Sequence, residues 1–133
     1  AIAYAEKIIS QAIALRDQNS GNKNRSILKT AVDFIDSHYM EEDMSLNKAA
    51  NAANVSANHF SALFSQNMGQ TFIEYLTNLR MNKAKEYLRC TSMRSSEIAG
   101  EIGYKDAHYF SYLFKKTQGM TPSDYRKARE DKA

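Results

Sequence analysis

The sequence predicts an all-α fold in which two similar helical units are joined by one long helix, and three observations predict it. Only one proline, Pro122, and five glycines interrupt the 133 residues, and no stretch alternates β-branched residues as a strand does. Residues 59–75 laid over residues 109–125 match without a gap. Phe60, Ser61, Leu63, Phe64, Gly69, Thr71 and Tyr75 meet Phe110, Ser111, Leu113, Phe114, Gly119, Thr121 and Tyr125, an identity at seven of seventeen positions. Between the two copies, Thr71-Phe72-Ile73-Glu74 has the spacing of a capping box and starts a helix that reaches about Arg89.

Seven or eight helices fit. Residues 2–15 put Ile2, Ala5, Ile8, Ile9, Ala12 and Ile13 at helical spacing, and the polar stretch Asp17 to Arg25 then marks a break. Residues 1–25 thus read as a helix and linker outside the main domain, their apolar stripe too short for a coiled coil. From Ser26, Ile27, Ala31, Phe34, Ile35, His38 and Tyr39 form one face of an amphipathic helix. Ser45 caps a short Ala-rich helix through Ala53. Ser56 caps the next, which runs to Met68 and ends at Gly69, a residue suited to a left-handed cap. After the long helix, Ser95 or Ser96 opens a short helix, Asp106 opens another, and Gly119 closes it. Thr121-Pro122 starts the last helix, with Asp124 in its first turn, and residues 130–133 form a tail.

The fifty-residue offset also lays Ala49 on Ala99 and Ala53 on Gly103, in the tight turn between two helices. The repeated unit is short helix, turn, longer helix and cap, the outline of a helix-turn-helix, so the fold class is a homeodomain-like tandem of two such subdomains. They fall at about 45–69 and 95–119, with the linker helix at about 72–89.

Composition narrows the partners. With 43% hydrophobic and 25% charged residues the chain is that of a globular protein. Residues 76–133 hold twelve Lys/Arg against seven Asp/Glu, whereas residues 1–75 hold six against eight, so the second half is the basic one and suits a polyanion. No apolar run is long enough to span a bilayer, no signal peptide pattern is present, and the single cysteine, Cys90, suits a reducing compartment. The expectation is a cytoplasmic protein with no membrane partner. Beginning at Ala1 rather than Met, the chain is expected to be a fragment or a processed product.

The stretch Glu97 to Lys116, ending in Gly119-Met120-Thr121-Pro122-Ser123-Asp124-Tyr125-Arg126, closely resembles the signature of the AraC/XylS family of transcription regulators. The resemblance extends upstream through Arg80-Met81-Asn82-Lys83-Ala84 and Ser45 to Gly69, covering about residues 26–129. It implies a sequence-specific DNA-binding regulator whose two longer helices enter successive major-groove segments of double-stranded DNA. Eighteen residues of linker helix span roughly 27 Å, a strut that suits readers about one DNA turn apart. The resemblance also implies recruitment of RNA polymerase. If the chain is a fragment, an N-terminal sensor or receiver domain precedes it. If it is whole, it resembles the small stand-alone members.

On that geometry, Phe60, Leu63 and Phe64 face inward and leave Ala57, Asn58, Ser61, Ala62 and Ser65 for the groove. Asn58 can pair bidentately with adenine, Ser61 bonds less selectively, and Ala62 offers only a methyl. Family members often carry a large polar or basic residue at the position of Ala62, which points to fewer bases read by the first unit. On the second helix Phe110, Leu113 and Phe114 are core, while Ala107, His108, Ser111 and Tyr112 project outward, with His108 and Tyr112 the chief base readers. Phosphates fall to Lys83, Lys105, Lys115 and Lys116, and to the helix starts at Ser56, Asp106 and Thr121. Arg80 joins them or else forms an internal ion pair beneath the first unit.

Two rival readings are weaker. A helical protein-interaction module would not need paired basic reading helices. An enzyme would need machinery that the sequence lacks: His38, His59 and His108 have no metal-ligand spacing with each other or with Cys90, and no glycine-rich phosphate loop follows a strand, so no cofactor is expected. Cys90 reads as an ordinary packing residue.

Overall fold

The structure, a computed structural model, describes residues 18–131 and the side chains of residues 22–129. The expected helix over residues 2–15 and the last residues of the expected tail lie outside the described residues. Seven helices and no strand are present among the described residues: α1 (Gln18–His38), α2 (Leu46–Ala52), α3 (Ala57–Met68), α4 (Phe72–Cys90), α5 (Ser95–Glu101), α6 (Ala107–Gln118) and α7 (Pro122–Asp131). They form two compact units. Residues 18–39 and 44–77 make the first, and residues 40–43 and 78–131 the second.

In the first unit α1 packs on α2 and α3 through Leu28, Ala31, Val32 and Ile35, all buried. Leu28 and Val32 belong to this face, whereas Phe34, His38 and Tyr39 are only half-buried, so the stripe lies rotated from the expected one. Phe60 and Phe64 meet Phe72 edge-on at 6.3 and 6.4 Å, and Phe64 meets Tyr75 at 5.5 Å. The buried Tyr75 hydroxyl donates to Asp36 Oδ1 at 2.8 Å. Burial first, then this bond and the Asp36 charge, push the phenol far above its ordinary range, which keeps it a donor.

Of the break expected at Asp17 to Arg25, Asp17 lies outside the described residues and the rest is helical, because α1 already runs from Gln18. Asn, Ser and Gly each cost only tenths to about 1 kcal/mol in a helix. Once the turns around Ile27, Leu28 and Ala31 are anchored, propagation tolerates that cost.

Caps set most of the helix ends. Ser45 Oγ accepts from Lys48 N at 3.2 Å, and Ser56 Oγ from His59 N at 3.1 Å. The expected capping box closes in both directions, with Thr71 N donating to Glu74 Oε1 at 2.9 Å and Glu74 N to Thr71 Oγ1 at 3.1 Å. Gly69 and Gly119 adopt φ of +70° and +85°, as left-handed caps require. At α5 neither serine caps: Arg94 holds the cap position, its N–H donating to Glu97 Oε1 at 3.1 Å, with no side-chain oxygen of its own to complete the box.

The backbone bond from Thr71 holds the Glu74 carboxyl below its ordinary value, helped by the Thr71 hydroxyl. A lowered folded-state value means that the cap's contribution is present above the unfolded value and is lost as pH falls through the folded one. Between about pH 5 and pH 3 the melting temperature of wild type should therefore fall more than that of Glu74→Gln. Parallel acid profiles of the two proteins would show that the carboxylate does not support the cap.

The second unit repeats the first with one correction to the register. α3 and α6 each have twelve residues and are offset by fifty, as expected. The turns before them are offset by forty-nine. Val55 N bonds Ala50 O as Tyr104 N bonds Ala99 O, and Asn54 (φ +59°) is the left-handed residue that Gly103 (φ +104°) is in the second unit. Gly103 thus corresponds to Asn54, not to Ala53, and Lys105 is the extra residue. Asn tolerates a left-handed backbone, so both turns keep a positive φ and the same backbone bond with different residues.

The core of this unit gathers Met81, Ala84, Leu88, Ile98, Ile102, Phe110 and Phe114. Arg126 closes the end of α4 by donating from Nε to Leu88 O at 3.2 Å and from Nη2 to Thr91 O at 3.1 Å.

Candidate nucleic-acid interface

Each unit carries one longer helix, α3 or α6, pinned by its inner face and capped at both ends. Phe60, Phe64, Phe110 and Phe114 have no exposed surface, and Leu63 is buried, whereas Leu113 is only half-buried against its core. Asn67 and Met68 add to the buried face of α3, where the Asn67 amide donates to Leu63 O at 2.7 Å. A twelve-residue helix is about 18 Å long, short enough to lie in a major groove with its outer face on the base edges.

The outer face of α3 exposes Asn58 and Ala62, both expected there. Ala57, Ser61 and Ser65 are half-buried, at the flank. On α6 His108 and Tyr112 are exposed, Tyr112 by 59%, while Ala107 packs against the core and Ser111 is half-buried. Among the exposed residues that escaped the sequence reading are His59 and Gln66 on α3, and Tyr109, 50% exposed, on α6. The signal was available, because His59, Ala62 and Gln66, like Tyr109, Tyr112 and Lys116, stand at i, i+3 and i+7 on one side of a helix.

The cationic groups divide unevenly. Lys105, Lys115 and Lys116 are exposed around α6, with the Lys116 ammonium 5.9 Å from the Tyr112 ring centroid. The outer face of α3 has no lysine or arginine, so only α6 is the basic reading helix that the sequence led us to expect of both. Lys83, on α4, is half-buried, 3.0 Å from Glu86 Oε2 and 5.3 Å from the Tyr87 ring centroid, so phosphate must compete with a carboxylate for it. Ser56 and Asp106 are exposed caps, and Asp106 accepts from His108 N at 2.8 Å. Thr121 is half-buried and accepts from Asp124 N at 3.1 Å.

Arg80 corrects the expectation that placed it on phosphates. It is 6% exposed, donates from Nη2 to Glu41 O at 2.8 Å, and sits 4.9 Å from the Tyr104 ring centroid. Its burial instead fits the other expectation, an internal role, with Glu41, Arg80 and Tyr104 all belonging to the second unit. Its buried guanidinium cannot reach a polyanion outside.

Among the described residues no group of three or more His, Cys, Asp or Glu side chains could hold a metal ion, and no helix is long and apolar enough to cross a membrane. Cys90 is exposed at the end of α4, contrary to the packing role expected of it.

The chain is similar to known proteins. The helix-turn-helix domain family matches residues 49–128. The lactose operon transcription activator of Staphylococcus xylosus is 36% identical over 99 residues, 74% of this chain and 35% of its own length. The chain spans between 12% and 38% of the length of the first four curated relatives. The C-terminal domain of AraT, a response regulator from Geobacillus stearothermophilus, aligns with a TM-score of 0.75 at 40% identity, over 77% of this chain and 85% of that one. A transcriptional regulator of the AraC-type DNA-binding domain-containing proteins, from Chromobacterium violaceum, aligns with a TM-score of 0.70 at 27% identity, over 85% and 96%. Two helix-turn-helix units, together with these matches, identify the fold and the family: the chain belongs to the AraC-type family of helix-turn-helix DNA-binding domains.

Proposed function

We propose that this chain is the DNA-binding part of a bacterial transcription regulator that reads two successive major-groove segments with α3 and α6. The observation that carries the reading is the outer face of α6, where His108 and Tyr112 stand exposed among Lys105, Lys115 and Lys116. Side chains with hydrogen-bonding or apolar tips face base edges, and flanking ammonium groups take phosphates. Asn58 and Ser61 serve the first half-site with Ala62 as a methyl contact, and Ala107 and Ser111 line the flank of the second. Lys83, Ser56 and Thr121 supply further phosphate contacts. Residues 26–129 constitute the domain, and the segment before them leads from a sensor or receiver domain, a reading supported by the response-regulator relative. RNA polymerase is the further partner, and the cytoplasm, where the DNA lies, is the place of action.

The test is selection of duplexes from a random library followed by titration against salt. Specific binding that survives competitor DNA is expected. Neutralising Lys115 or Lys116 to Gln should weaken binding to all sequences alike and lower the salt slope by about one each. A changed sequence preference at unchanged slope would make that lysine a base reader.

A further inference from the structure

The second reading helix presents one exposed aromatic ring that a chain of contacts holds from behind. Half of Tyr109 is exposed, and its ring meets Tyr104 edge-on with centroids 5.8 Å apart and planes at 64°. Tyr104 lies nearly parallel to buried Phe110, 6.1 Å away at 28°. Above Tyr104 stands the Arg80 guanidinium, 4.9 Å from the ring centroid and bonded to Glu41 O. Gly103 leaves the space that this guanidinium fills, since a Cβ there would come within 2.7 Å of its Nη2.

We propose that Tyr109 is a further DNA-contacting residue of α6 and that Arg80, acting through Tyr104, is the positioning residue that fixes its ring before DNA arrives. The inference rests on the reading of α6 as a DNA reader. Tyr109 shares one side of the helix with Tyr112 and Lys116, so a groove that admits those two has Tyr109 at its edge. There the ring can pack on a deoxyribose or a thymine methyl while its hydroxyl donates to a phosphate oxygen. A ring already braced loses little freedom on docking, which is how rigid aromatics contribute to interfaces. In the first unit Val55 and His59 occupy the positions of Tyr104 and Tyr109. The device therefore serves the second half-site alone.

Titration of a selected duplex at fixed salt tests both parts. Tyr109→Ala should weaken binding about tenfold, the loss of one well-packed aromatic at an interface, and Tyr109→Phe by less. Arg80→Lys should weaken binding severalfold, yet add nothing in the Tyr109→Ala background. In free protein it should also move the ring-proton signals of Tyr109 while amide signals of α1 to α3 stay in place. Should Arg80→Lys not fold, Tyr104→Leu removes the same brace and takes its place in the cycle. Unchanged binding by Tyr109→Ala, while Lys116→Gln still weakens it, overturns the contact and leaves DNA reading intact. Equal loss from Arg80→Lys in both backgrounds overturns the positioning role. Failure of the wild-type chain to retain any duplex would instead overturn the reading beneath both.

Discussion

Replacing Phe114 by Ala should cost about 3–5 kcal/mol, and replacing Phe64 by Ala a similar amount, because each leaves a cavity that a helical core cannot close. Both rings are fully buried. Phe114 is held edge-on by Phe110 at 5.9 Å and by Tyr125 at 5.8 Å, and Phe64 is held edge-on by Tyr75 and tilted against Phe60, at 5.5 Å each. Losing the ring forfeits its transfer energy and also those edge contacts, each worth about 0.5–1.5 kcal/mol. Against a total stability of about 5–15 kcal/mol, either loss brings the chain near unfolding at ordinary temperature. Urea denaturation followed by circular dichroism measures it. An unfolding free energy within about 0.5 kcal/mol of wild type, the range of a surface change, would mean that the inner faces of α3 and α6 are misassigned.

These inner faces were legible because aromatic and aliphatic residues recur at helical spacing twice over, fifty residues apart. Helix ends were legible for a similar reason: Ser45, Ser56, Thr71, Gly69 and Gly119 act through local bonds or local backbone angles that the sequence displays. The failures share a different cause. Whether Arg80 faces solvent or the interior depends on Gly103 and Glu41, residues far along the chain, and charge alone argued for the surface. The forty-nine-residue offset of the two turns was hidden because Asn54 and Gly103 are unlike as residues, though alike in a positive φ. The polar run before Ser26 looked like a break since propensity was weighed without the packed turns that follow it. Tyr109 was claimed neither by the core nor by the outward set Ala107, His108, Ser111 and Tyr112, because the row it forms with Tyr112 and Lys116 at i, i+3 and i+7 was overlooked.

Gly103→Ala should be the most costly of the glycine substitutions, about 2–4 kcal/mol, because it meets two penalties where Gly69→Ala meets one. At φ +104° the backbone of residue 103 lies beyond the left-handed helical region that other residues occasionally visit, and strain there is about 1–3 kcal/mol. The new Cβ would also stand 2.7 Å from Arg80 Nη2, 2.9 Å from Arg80 Cζ and 3.1 Å from the Met40 carbonyl oxygen. A long side chain usually yields to such a clash at little cost. Here it cannot swing aside without breaking the bond to Glu41 O and leaving the Tyr104 ring, and the carbonyl of Met40 crowds the new Cβ as well. Gly69, by contrast, has φ +70° and open space where a Cβ would go, so Gly69→Ala should cost only the backbone term of about 1–2 kcal/mol. The difference between the two variants contains the steric part together with the harsher backbone at residue 103, and its steric part should shrink when Arg80 is first replaced by Ala, as expected for residues in contact. Equal destabilisation by Gly103→Ala and Gly69→Ala, with no coupling to Arg80, would show that the guanidinium does not occupy the space beside the turn.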